Sequence, residues 1–398
     1  MRLLQRGELD RAERIIKARI AVAPKDVEAL FLEGMITTAR QDYRSAIAIF
    51  RSLLIDHPGA TRVRLELARA FYLDKDYGNA LRQFQFALAG NPPVEVVANI
   101  NRYMAAIRDA KSLSYNIGIA VAPDTNLNAG SSAREVTLFG LPFDLSDDAR
   151  KRSGVGLAIE AGAEWAPRIG KGKRLRLGMS AQRREYARAR FGDMTLAAYG
   201  GPRLVAGKWD VSLLGTTYQR WYASKPYNHA AGARLEATYH LNSRLGIAVA
   251  LANQRVSYRS THDRNSVLTA LSGTTFYALT ASSGINLKAG VSRERARLGP
   301  YSNWSGFAAA GYYRDLPMGF SAYVEPSVSV ARFDQASVGF GRRRSDSTQS
   351  LSIILLNRRL VMTRFTPRIS YTFTRQASSI PFYAFTRSRF EIGLTTVF

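Results

Sequence analysis

The chain has 398 residues, no cysteine, and 56 Lys and Arg against 31 Asp and Glu, a formal charge of +25 at pH 7. The missing thiols exclude a disulfide framework and thiolate metal sites, and no stretch of about 18 uncharged apolar residues exists to cross a membrane as a helix, which leaves a β-barrel open. So basic a chain invites comparison with nucleic-acid binders, but no helix-turn-helix, finger or RNP pattern is present, and the surplus lies late: residues 1–111 hold 18 basic and 13 acidic residues, leaving 38 and 18 for 112–398.

Over residues 1–111 the apolar positions recur at helical spacing and the sequence repeats itself. Ala12, Ala46 and Ala80 are 34 apart, as are Ile16, Phe50 and Phe84, and Pro24, Pro58 and Pro92. Thirty-four is the tetratricopeptide period, in which a small residue lets paired helices approach, an aromatic fills the space between them and proline ends the second helix. Gly34 and Ala68 fit the small position of the first helix, with Tyr43 and Tyr77 in the turn. The pattern predicts a tetratricopeptide-like α-solenoid over 1–111, ending in a connector helix from Val94 to Lys111. The first helix of the first pair is expected ahead of Met1, and no export signal is evident, so the chain is expected to begin inside a longer natural protein. Solenoids of this kind take peptides or partner domains on a concave face. Arg64, Tyr72 and Arg102 are candidates for that groove, with a solvated helix face as the plainer alternative for each.

After Lys111 the period changes from 3.6 to 2. Leu113, Tyr115, Ile117, Ile119 and Val121 alternate with small or polar residues, and so do Leu245, Ile247, Val249 and Leu251. Fourteen such segments run from 113–122 to 383–398. They are long enough to cross a bilayer at a tilt, short turns such as 206–208, 282–284 and 315–319 alternate with expected long loops at 123–152, 259–273 and 334–345, and Trp165, Trp209, Trp221, Tyr222, Trp304, Tyr312 and Tyr313 suit interfacial girdles. The fold class is therefore α + β: the solenoid, then a ~14-stranded antiparallel transmembrane β-barrel over 112–398. Pro326 and Pro367 fall inside strands, where each lacks a ladder donor. Arg174 and Arg176 alternate with Leu175 and Leu177, which predicts a cationic lumen or rim.

At the end of the chain Phe390, Ile392, Leu394, Thr396 and Phe398 share one strand face. The stretch resembles the carboxy-terminal insertion signal of bacterial outer-membrane barrels, which Glu391, Gly393 and Phe398 fit and from which Thr396 departs. That resemblance implies the barrel-assembly machinery as a partner. Three short motifs lie elsewhere: Pro123, Asp124, Asn126 and Asn128 at the first strand's end, Asn357, Arg358 and Arg359 before the penultimate strand, and Ser378 to Pro381 before the last. In this order, behind a tetratricopeptide-like domain, they resemble the Slam family of surface lipoprotein assembly modulators. The resemblance implies an outer-membrane protein with a periplasmic helical domain that receives a lipoprotein or soluble client, and a barrel through or beside which the client reaches the cell surface.

Nothing in the sequence points to catalysis. His57, His229, His240 and His262 are scattered without metal spacing, and no nucleotide fingerprint or nucleophile elbow is present. The expectation is a monomeric non-enzyme without cofactor or metal, in contact with lipopolysaccharide and not with nucleic acid. Asp147 and Asp148 read as a solvated loop, while Asp124, Asn126 and Asn128 suit a turn better than a cation site. Arg342 to Arg344 and Arg358 with Arg359 suit lipopolysaccharide contact or lumen salt bridges. Two functions fit: a translocation factor for a client protein, or a porin-like, anion-favouring diffusion channel with a periplasmic extension.

Overall fold

Seven helical segments open the chain: α1 (Arg2–Gln5), α2 (Leu9–Val22), α3 (Val27–Ala39), α4 (Tyr43–Asp56), α5 (Thr61–Leu73), α6 (Tyr77–Ala89) and α7 (Val94–Ala110). The computed structural model describes residues 2–110, 112–187, 191–242, 244–360 and 365–396, so Lys111 and Phe398 lie outside the described residues.

The 34-residue interval governs both packing and backbone. Ala12, Ala46, Ala80, Ile16, Phe50 and Phe84 are all buried. A Cβ built on Gly34 would lie 2.6 Å from the Phe50 ring, so α3 and α4 approach as closely as they do because that position has no side chain. Gly7, Gln41 and Lys75, again 34 apart, share a left-handed backbone with φ of 74°, 66° and 61°. The residue after Gln41 and Lys75 is an aspartate that caps the next helix: Asp42 accepts from the Ser45 amide at 3.2 Å, and Asp76 from that of Asn79 at 3.3 Å. Tyr43 and Tyr77 are consequently the first residues of α4 and α6 and not part of the turn.

The barrel strands are β1 (Leu113–Asp124), β4 (Gly154–Trp165), β6 (Lys173–Tyr186), β7 (Asp193–Ala206), β8 (Trp209–Tyr222), β9 (Lys225–His240), β10 (Leu245–Tyr258), β11 (Ser266–Thr280), β12 (Ser283–Ala296), β13 (Asn303–Asp315), β14 (Phe320–Ala336), β15 (Arg343–Asn357), β16 (Thr366–Ser378) and β17 (Phe385–Thr395). Each pairs antiparallel with its neighbour in chain order, and β17 returns to β1, closing a cylinder of fourteen strands among the described residues. A hairpin of β2 (Glu135–Leu138) and β3 (Leu141–Asp144) stands in the first loop, and β5 (Arg168–Gly170) edges the first turn.

Two expected loops are shorter than their composition suggests. β11 begins at Ser266, because Val267 and Leu271 face outward although Thr269 and Gly273 blur the alternation, and only 259–265 remains as loop. Strand β14 runs on to Ala336, leaving 337–342 of the expected 334–345. The connection after β8 is only Ala223 and Ser224, both at positive φ as a tight hairpin requires.

The prolines explain where the ladders break. The β1–β17, β7–β8 and β13–β14 registers each skip two residues beside Pro123, Pro202 and Pro326, which have no N–H to give. Pro367 pairs in register with Leu394 near the foot of β16. Outward positions such as Ile247, Val249, Leu251, Leu271 and Val291 form an exposed apolar band, and Trp165, Trp209 and Trp304 are exposed beside it. Tyr313 instead turns inward and meets the helices.

Candidate functional site: the mouth, the lumen and the closing seam

The helices are joined to the barrel rim by a buried polar cluster. Arg64 of α5, with a side chain only 1% exposed, donates to the Asp315 carboxylate at 2.9 Å, to the Pro58 carbonyl at 2.7 Å and to Gln83 at 2.6 Å. Asp315 also accepts from the Ser321 hydroxyl at 2.9 Å and from the Tyr313 hydroxyl, and pairs with Arg358 at 3.4 Å. Burial pushes the Arg64 guanidinium below the usual arginine range, and the Asp315 charge pulls it back. Beside it, Phe86 of α6 is buried between Tyr313, stacked at 5.5 Å, and Phe276, edge-on at 6.0 Å. Both partners face the barrel interior, so α6 stoppers part of the mouth.

This corrects the reading of Arg64 as a groove residue: it is consumed by the seam between helices and barrel. Tyr72 is half-buried against Tyr77 and Tyr103, at 5.9 and 5.0 Å, and belongs to the packing of α5, α6 and α7. Arg102 is exposed on α7. The Asn357-Arg358-Arg359 motif is a strap at the same junction. Asn357 accepts from the Arg359 amide at 2.9 Å, Arg358 reaches Asp315 and the Phe320 carbonyl, and Arg359 pairs with Asp56 of α4 at 3.1 Å. Arg358 and Arg359 therefore form salt bridges at the junction of helices and barrel, Arg358 to Asp315 on the inward face of its strand and Arg359 to a helix.

Inside the barrel the strand arginines face acids in the same wall. Arg176 bridges Glu164 and Glu236 at 2.7 and 2.6 Å, Lys288 meets Glu325 at 2.7 Å, and Arg344 meets Asp346 at 2.6 Å. Arg368 spans Glu160 and Glu391 at 3.0 and 3.1 Å, and Arg203 and Arg220 pair with Asp210 and Asp193. Alternation did place these arginines inward. It could not show their partners, which lie on the same strand for Arg344 and one to three strands away for the others, so these wall positions carry no cationic surplus.

The closing seam draws on the residues of two motifs. A Cβ on Gly393 would overlap the Ile119 carbonyl and Ala120, so β17 can lie against β1 only without a side chain there. Glu391 faces inward and accepts from Arg368 and, at 3.2 Å, from the Ser370 hydroxyl. Thr396, the departure from the terminal pattern, exchanges bonds with Ile117: its hydroxyl accepts the Ile117 amide at 2.8 Å and its own amide donates back at 2.9 Å.

At the opposite end, the side chain of Asp124 is fully buried and accepts from Arg387 of β17 at 2.9 and 2.5 Å. Asn126 donates to the Gly130 and Thr386 carbonyls, at 3.0 and 3.1 Å, while Asn128 donates to the Asp148 and Arg150 carbonyls, both at 2.8 Å. Pro123 marks the break in the ladder just below. The motif thus ties the first loop to its own return limb and to the last strand, as a turn would and with its oxygens already engaged.

Residues 114–398 match the family model described as surface lipoprotein assembly modifier. Surface lipoprotein assembly modifier 1 of Neisseria meningitidis serogroup B is 26% identical over 208 residues, covering 52% of this chain and 41% of that protein. The surface lipoprotein assembly modifier of Moraxella catarrhalis is 24% identical over 357 residues, covering 87% of this chain and 69% of its own length. Among solved structures, a Pseudomonas aeruginosa FadL homologue aligns with a TM-score of 0.41 and 7% identity over 72% of this chain and 90% of its own. The family match spans the barrel from its first strand to its last, and this chain belongs to the surface lipoprotein assembly modifier family.

Proposed function

We propose that this outer-membrane barrel is a translocation factor that passes a client protein, a lipoprotein in the first instance, from the periplasm to the cell surface. The observation that supports the reading is the buried junction. Arg64, Asp315 and Phe86 hold the helices against the mouth, so whatever the helices bind is kept beside the lumen instead of on a free tether. Holding a ligand there raises its local concentration at the point of entry. The relatives' names, which speak of surface lipoprotein assembly, agree with a lipoprotein client. The 34-residue helical repeat agrees with peptide capture by a tetratricopeptide-like surface, and no catalytic step is needed.

The test is surface display of a co-expressed client in cells carrying the full chain or a form lacking residues 2–110. The expected result is a barrel still inserted in the outer membrane, with the client stranded in the periplasm. Display that survives loss of the helices overturns the proposal. A diffusion channel favouring anions is the second reading, supported by the overall basic charge and opposed by the paired charges of the lumen wall.

A further inference from the structure

The basic surplus that the lumen does not hold has to lie elsewhere, and one part of it is ordered on the outer wall. On β10, β11 and β12 a single rung carries Arg255, Val267 and Arg295. One step lower, Arg293 of β12, Trp304 of β13 and Arg332 of β14 form a second rung. All face outward, and Arg255, Arg295 and Arg332 are exposed. Among the described residues no acidic group lies within salt-bridge distance of these three, whereas Arg293 pairs with Asp334 and lies 5.4 Å over the Trp304 ring. From β10 to β14 the strip is about 19 Å wide, four inter-strand spacings.

Its height on the wall is fixed by the rung beneath, Leu251, Leu271, Val291, Gly306 and Val330, which belongs to the apolar band. The strip therefore begins where the band ends, on the side away from the helices. With the helices in the periplasm, that is the outer leaflet. Unpaired guanidinium groups beside an interfacial tryptophan, directly above acyl-chain depth, match a phosphorylated headgroup whose chains lie along the band. We propose that this strip docks a phosphorylated outer-leaflet glycolipid, independently of any client.

The probe is bis-phosphorylated lipid A, set against the same lipid after enzymatic dephosphorylation, titrated into the purified full chain in detergent. The phosphorylated form is expected to bind at least tenfold more tightly. The variant R255Q/R295Q/R332Q is expected to bring the two forms to within about twofold of each other, with heat-modifiable gel mobility reporting that its barrel is folded. Equal binding of the two lipid forms by the unaltered protein overturns the proposal whether or not the variant folds. So does a folded variant that keeps the preference for phosphate.

Discussion

Arg64 and Asp315 stand 251 positions apart in sequence and 2.9 Å apart in space, each almost wholly withdrawn from water, one on a helix and the other at the foot of a barrel strand. Removing one partner of such a pair leaves the other charge buried, at a cost of about 3–5 kcal/mol. Arg64→Ala should release the helices from the rim while the barrel stays closed. Protease sensitivity of the connector near residue 112 measures this, and sensitivity equal to that of the unaltered protein would show that the pair does not hold the junction. Asp315→Asn should be milder, because Arg358 and Arg64 lose a charge but keep an acceptor.

Gly393 and Thr396 give a graded test of the seam. Gly393→Val places a side chain in the Ile119 carbonyl and Ala120, and should yield a chain that no longer shows heat-modifiable mobility. Thr396→Val removes only the acceptor for the Ile117 amide, a loss of about 0.5–1.5 kcal/mol, and should lower the temperature of the gel shift without abolishing it.

Within the helices, Gly34→Val drives a branched side chain into the Phe50 ring, an overpacking worth about 1–3 kcal/mol. Thermal melts of the full chain followed by helical circular dichroism should show the helical transition falling while the barrel transition stays in place.

The lumen offers a fourth measurement. Because Arg176, Lys288, Arg344 and Arg368 are matched by acids of the same wall, current through the purified barrel should reverse near zero potential in a salt gradient. A strong preference for anions would favour the diffusion-channel reading.

The period of 34 was legible because identical packing recurs: the same small and aromatic positions are buried in each repeat, and even the left-handed residue keeps the interval. The barrel was legible because a period of 2 survives wherever bulky apolar residues face lipid, as in β10. It faded in the first half of β11, where threonine and glycine share the outward face. The site was far less visible. Arg64 looks like any helix-surface arginine until Asp315 is set against it, and no local pattern carries that pairing across 251 residues. Gly393 and Asp124 did stand out, the one in a terminal pattern and the other in a short motif, but their shared task of fastening the last strand to the first emerges only when the cylinder is closed.

A corridor whose fixed charges are already neutralised from side to side would give a polypeptide, were the proposed client to travel it, neither a deep trap nor a steep barrier. On that proposal, cargo of either sign would pass Arg176 and Arg368 with similar ease, and the choice of what enters would fall to the helices stationed at the threshold.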